Sequence, residues 1–192
     1  SVVEDSLQVV RVVGRIPFSS APMAELDEFG FVRTLRGRIT YFGPDAEVLL
    51  SDRFLSQHCF SLRRGTGVDA GLVGLAFEPV PTRRRPDVTG VLWLDAKSSE
   101  LRRVEWGYTR VAAPAGFAPR GRADFVRLPG GAWIISSWWL RIPYSAPQVN
   151  AARRSYSLRY RSVKEVREVG GAVERVWTAK GAAGGPASEP GG

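Results

Sequence analysis

The chain predicts a mainly β protein: a curved antiparallel sheet, a half-barrel meander, with one or two short helices packed on it. Three observations carry this expectation. From His58 onward, short β-branched and aromatic runs alternate with turn clusters rich in Gly, Pro and Ser. The two helix candidates of any length both precede that point. No helix separates the later strands, as a parallel α/β sheet would require.

Taken in order, "LQVVRVV" (7–13) has the β-branched content of a strand, stopped by the turn formers of "GRIPFSSAP". "APMAELDEFG" predicts a helix begun after Pro22 and ended at Gly30. "FVRTL" and "RITYFG" form a hairpin about Arg36 and Gly37. "PDAEVLLSDRFLSQ" is the best helix candidate, capped by Asp45 and broken near Ser51 and Asp52. Three hairpins follow: "HCFSLRRG" with "GLVGLAFEPV", "TGVLWLD" with "ELRRVEWGYTRV", and "RADFVRL" with "AWIISSWWLRIP". A last pair is expected about Gly170 and Gly171, with a bulge or helical turn where Val163, Val166 and Val169 fall three apart. One domain over 1–178 is implied, followed by a Gly/Pro-rich tail, 179–192, of disordered composition.

Alternation within the strands assigns faces. Val104, Trp106 and Tyr108 share one side of their strand, with Arg103, Glu105 and Thr109 opposite. In "AWIISSWWLRI" strict alternation puts Trp133, Ile135 and Trp139 on one side and Ile134, Trp138, Leu140 and Ile142 on the other. "VLWL" likewise opposes Val91 and Trp93 to Leu92 and Leu94. A tryptophan buries about 150–250 Å², worth roughly 4–6 kcal/mol, so these central strands are expected to be covered on both sides. The six rings Trp93, Trp106, Tyr108, Trp133, Trp138 and Trp139 are the candidate lining of a cavity for an acyl chain or other apolar ligand. The competing account is that they simply fill the core.

The runs "YFGPDAEVLLSDRFLSQHCFSLRRG", "GLVGLAFEPVPTRRRPDVTGVLWLDAKSSELRRVEWGYT" and "GGAWIISSWWLRIP" resemble, in the same order and over roughly residues 20–145, part of a known group. That group is the C-terminal region of bacterial envelope proteins containing a carboxypeptidase regulatory-like domain. The resemblance implies a periplasmic or outer-membrane-associated location, an outer-membrane protein as one partner, and a small β-sandwich upstream that has no copy here. More distantly, the order strand, hairpin, helix, meander is similar to the periplasmic lipoprotein-carrier fold. That similarity implies an unclosed barrel with a helical lid over a cavity for lipid-like ligands, and it carries over no individual ligand-binding residue.

Composition narrows the function further. A net charge of +8 is almost all arginine and is scattered. The short runs Arg83–Arg85, Arg102–Arg103 and Arg153–Arg154 read as solvated turn or strand faces. Nucleic-acid binding stays open as an alternative, because alternation places Arg102 and Arg110 beside Trp106 and Tyr108. The single cysteine, Cys59, rules out an intramolecular disulfide and any multi-cysteine zinc site. His58 beside Cys59 suggests a nucleophile with its base, but neighbours on a strand point apart, so both are expected to be structural. Carboxylate pairs such as Asp52 with Glu78 or Asp95 with Glu105 carry no catalytic signature, and Asp95 has a ready role in its turn. Catalysis, metal and cofactor are therefore not expected. The chain has no apolar run of membrane-spanning length and no signal-peptide pattern, and its first residue, Ser1, is compatible with a trimmed piece of a longer protein.

Overall fold

A computed structural model describes residues 8–13, 17–35, 38–111, 113, 117–144, 165–173 and 176. The expected meander is present. Strands β4 (His58–Arg64), β5 (Leu72–Pro79), β6 (Asp87–Asp95), β7 (Leu101–Thr109), β8 (Arg120–Arg127) and β9 (Trp133–Tyr144) pair antiparallel, each with the next. A further strand, β10 (Glu165–Ala172), pairs antiparallel with β9. These seven strands form a sheet that does not close into a barrel. The first strand, β1 (Gln8–Val13), adds an eighth beside β10 and runs parallel to it, a pairing that the antiparallel expectation did not contain.

The turn expected at Gly170 and Gly171 is corrected: β10 runs straight through both, opposite Trp139 and Trp138. A Cβ on Gly170 would lie 2.6 Å from the Trp138 carbonyl oxygen and 3.2 Å from the Trp139 Cβ, so this glycine serves close backbone approach rather than a reversal. The bulge or helical turn about the valines is corrected as far as Val166 and Val169, which lie in regular extended backbone; Val163 lies outside the described residues. The tail and the domain limit at 178 also lie outside them.

Before the meander come α1 (Met23–Phe29), the hairpin β2 (Val32–Leu35) and β3 (Arg38–Tyr41), and then α2 (Ala46–Leu49) and α3 (Asp52–Gln57). Each helix ends where its sequence says it should. α1 stops at Gly30, whose φ of 85° only glycine adopts freely, and the Gly30 amide donates to the Leu26 carbonyl at 2.9 Å. Asp45 Oδ1 accepts from the Val48 amide at 2.9 Å and so caps α2. Ser51 serves two helices at once: its hydroxyl donates to the Val48 carbonyl at 2.7 Å and accepts from the Phe54 amide at 3.1 Å. The single broken helix of the sequence is therefore two short ones, making three α-helices among the described residues.

Helices and hairpin together form a lid on one face of the sheet, here called the inner face. Phe18 meets the rings of Trp106 and Trp138 edge-on at 6.2 and 5.6 Å; Tyr41 meets Tyr108 at 5.2 Å, and Phe54 meets Phe77 at 5.5 Å. The Tyr108 hydroxyl donates to the Phe42 carbonyl at 3.1 Å, and burial pushes its ionisation above the ordinary phenol range. Trp106 fits because the positions beside it are glycines: a Cβ on Gly121 or Gly43 would lie 2.4 or 2.8 Å from its ring. Leu26, Phe31, Phe54, Val88, Val104 and Ala123 complete the fully buried centre.

Two register shifts alter which residues share a face. In the β6–β7 pair, Trp93 faces Arg103 but Leu94 faces Leu101, leaving Arg102 as an extra residue. In the β8–β9 pair, Asp124 faces Ser137 but Phe125 faces Ile135, leaving Ser136 unpaired. Strict alternation along β9 therefore fails. Ile135 returns to the side of Phe125, and Trp133, opposite Arg127, goes with it. The expected opposition of Trp133 to Trp138 is corrected: the bulge puts both on the inner side, while Trp139 and Ile134 face outward.

Candidate functional site

The six candidate rings do not converge on one cavity. Trp106, Tyr108 and Trp138 are buried beneath the lid. Trp93 and Trp139 lie on the outer face, and Trp133 sits at one end of the inner face. A single lining by all six is excluded by the sheet itself, since side chains on opposite faces point apart.

On the inner face, the described residues of the lid reach only part of the way along the strands. It covers the end where β6 begins and β7 finishes, over Val88, Tyr108, Trp106, Trp138 and Leu140. Toward the other end, the same face carries Leu62 on β4, Val73 and Leu75 on β5, Leu94 on β6, Leu101 on β7, and Trp133 on β9. Direct cross-strand pairs place them side by side: Leu62 with Leu75, Val73 with Leu94, Leu94 with Leu101. Exposure is 78% at Leu62, 39% at Trp133 and 37% at Val73. Leu75 and Leu94 are half-buried, and Leu101 and Ile135 mark where the strip meets the core. Arg64 and Arg127 share this side at the strand ends, and Arg127 lies 3.6 Å from Glu100. A row of aliphatic side chains with one indole and cations at its rim offers an apolar body and a polar edge to a ligand.

The outer face is built differently, and it corrects the expectation that both sides would be covered by apolar packing. Charges of alternating sign run across neighbouring strands. Asp69 pairs with Arg103, Arg103 lies 3.4 Å from Glu105, and Glu105 lies 4.0 Å from Arg122. Arg122 reaches Asp124 at 2.7 Å, and the Ser137 hydroxyl donates to Asp124 at 2.9 Å. The Asp124 carboxylate raises the ionisation of Arg122 above its ordinary value. Trp93 donates its indole N–H to Glu105 at 3.1 Å, with the Arg103 guanidinium 5.7 Å from its ring centre; Arg141 stands equally far from Trp139. Trp93 and Trp139 are thus half-buried under long polar side chains.

Sequence reasoning missed a buried ionic network at the lidded end. Arg83, read as one of a solvated run, turns inward and pairs with Asp27 of α1 and Asp87 of β6. Its guanidinium also donates to the Leu26 carbonyl at 3.3 Å. Burial alone would lower the ionisation of Arg83, but Asp87 and Asp27 more than offset it and hold the cation firmly charged. For Asp27, burial works to raise the pKa; the Gln57 amide at 2.8 Å, Arg83 and Arg53 prevail and hold it below the usual carboxylate range. His58 joins at the start of β4: its Nδ1–H donates to the Phe54 carbonyl at 2.9 Å, its ring stacks on Phe54 at 3.9 Å, and Nε2 lies 3.4 Å from Asp87. Cys59 faces the opposite way and is exposed, so the imidazole and thiol stand apart as alternation requires. The only sequence trace of this network is the i, i+4 spacing of Arg83 and Asp87, which no helical pattern supports.

Asp95 has the structural task expected of it, accepting from the Lys97 and Ser98 amides at 3.0 Å each. The Ser98 and then the Lys97 amide hold its carboxyl below the ordinary range. The alternation that set Arg102 beside Trp106 is corrected by the bulge: Arg102 pairs with Asp95 and Glu100 at the turn, while Trp106 is buried. Among the described residues no group of three or more His, Cys, Asp or Glu could hold a metal ion, and no helix is long and apolar enough to cross a membrane. No family model, curated protein or solved structure matches this chain.

Proposed function

We propose that this chain is a non-catalytic domain of the bacterial cell envelope that holds the apolar part of a lipid-like ligand on the uncovered half of its inner face. One observation carries the reading: Leu62, Val73, Leu75, Leu94 and Trp133 form an apolar strip on the face that elsewhere is core, and among the described residues the lid stops short of them. Leaving such side chains wet costs about 25 cal/mol per Å² of apolar surface, a gain that an acyl chain laid along them recovers. Arg64 and Arg127 at the rim suit an anionic head group. The compartment, and an outer-membrane protein as partner, rest on the resemblance to the envelope proteins.

Displacement of a fluorescent fatty acid tests this. Saturable displacement by unlabelled fatty acid, weakened at least about tenfold by Leu94→Asp, supports it; absence of saturable binding sinks it. A second reading, an interaction module with a filled core, is favoured by one observation, the complete packing of Trp106, Tyr108 and Trp138 beneath the lid. It predicts no displacement at all. Of the two arginines on which nucleic-acid binding rested, Arg102 is engaged by Asp95 and Glu100, while Arg110 is exposed at the end of β7.

A further inference from the structure

We infer that the end of the sheet formed by the β4–β5, β6–β7 and β8–β9 turns docks on an anionic lipid bilayer, presenting the open strip to it; this rests on the reading of that strip as a lipid site. Antiparallel order brings the three turns to the same end, and the Ala96 amide donates to the Gly71 carbonyl at 3.0 Å, tying two of them together. The charges there are not balanced. Each carboxylate is already matched, Asp69 by Arg103, Asp95 by Arg102, and Glu100 by Arg102 and Arg127. Arg63, Arg64 and Lys97 are exposed and have no ion pair among the described residues, so this end is cationic.

Apolar side chains accompany the cations. Val68 stands at the tip of the β4–β5 turn, 99% exposed, the most open large hydrophobic residue described. Leu62 lies on the adjoining strand β4, and Trp133 is exposed at the same end of the sheet, five strands away on β9. An exposed aliphatic tip, an indole and unpaired basic groups at one edge match an anionic bilayer in both of its properties, a negative surface and an apolar layer just beneath. A soluble acidic protein would engage the charge but give Val68 and Leu62 nothing to enter.

The test is flotation of the full chain with phosphatidylcholine vesicles, with and without phosphatidylglycerol. Binding is expected only with the anionic lipid and is expected to weaken as salt is raised. The double variant Arg63→Glu/Arg64→Glu should lower binding at least about tenfold, because each basic side chain near an anionic surface contributes several-fold. Val68→Asp should lower it independently. The control is Arg84→Glu/Arg85→Glu, the same change in net charge in the β5–β6 connection at the opposite end, which should leave binding within about twofold. Equal loss in both double variants, or no binding by the wild type, overturns the docking. Wild-type protein that displaces the fluorescent fatty acid but ignores vesicles rejects the docking alone. Protein that binds vesicles but displaces nothing rejects the strip as a lipid site, and this inference with it.

Discussion

Trp106 and Trp133 stand on the same side of one sheet, two strands apart, yet one is sealed at 3% exposure and the other is open. The difference lies in what covers them. Over Trp106 the lid brings Phe18 and Gly43, and Gly121 on the neighbouring strand β8 leaves room for the ring. Over Trp133 the described lid brings nothing, and its cross-strand neighbour is an arginine. The lidded end is also where the polar groups are buried and paired, through Arg83, Asp87 and Asp27. At the turn end the charges lie outside. One half of the inner face is thus closed by packing, and the other is open among the described residues.

Substitutions that separate the halves test this contrast. The largest effect is expected from Arg83→Ala, which strands the fully buried Asp87 without its cation and should cost about 3–5 kcal/mol in urea melts. The equivalent change at the open end, Arg127→Ala, should cost less than about 1 kcal/mol, because Arg127 is exposed and its partner Glu100 keeps Arg102. Trp106→Ala should likewise cost about 3–5 kcal/mol, whereas Trp133→Ala should cost about 1 kcal/mol or less and show its effect in ligand binding instead. Equal losses at the two tryptophans would erase the distinction.

A smaller effect follows from pH. The Asp27 carboxyl titrates below the ordinary value in the folded chain, so its contribution is complete above the unfolded carboxylate pKa of about 4. That contribution disappears as pH falls through the lower folded value. Asp27→Asn should therefore flatten the acid limb of a stability-against-pH curve while leaving the region above pH 5 parallel to the wild type. Identical acid limbs would show that the lid is not held through this carboxylate.

The meander was legible because each hairpin announces itself locally: Asp95 before its turn, Gly131 at a φ of 86° in the β8–β9 turn, Asp45 and Ser51 ahead of their helices. What escaped depends on partners far along the chain. A bulge at Ser136 cannot be seen in β9 alone, because it exists only relative to β8, and it transferred Trp133 from one face to the other. Gly170 reads as a turn former until Trp138 and Trp139 are set beside it. Arg83 belongs to a run of three arginines that look alike, and only the fold singles out the first. The aromatic strands were recognised as central, but which of their rings would stay uncovered was decided by how far the lid extends.

The parallel pairing of β1 with β10 has a consequence for synthesis. β1 precedes every other described strand and can meet its neighbour only once the strands between them have been made, so this outer clasp closes after the meander from β4 to β10 is available. Until then the newest strand is a raw border, open to adhesion by other nascent chains. A chain cut short before Glu165 would leave β1 without its mate and β9 as a permanently bare margin.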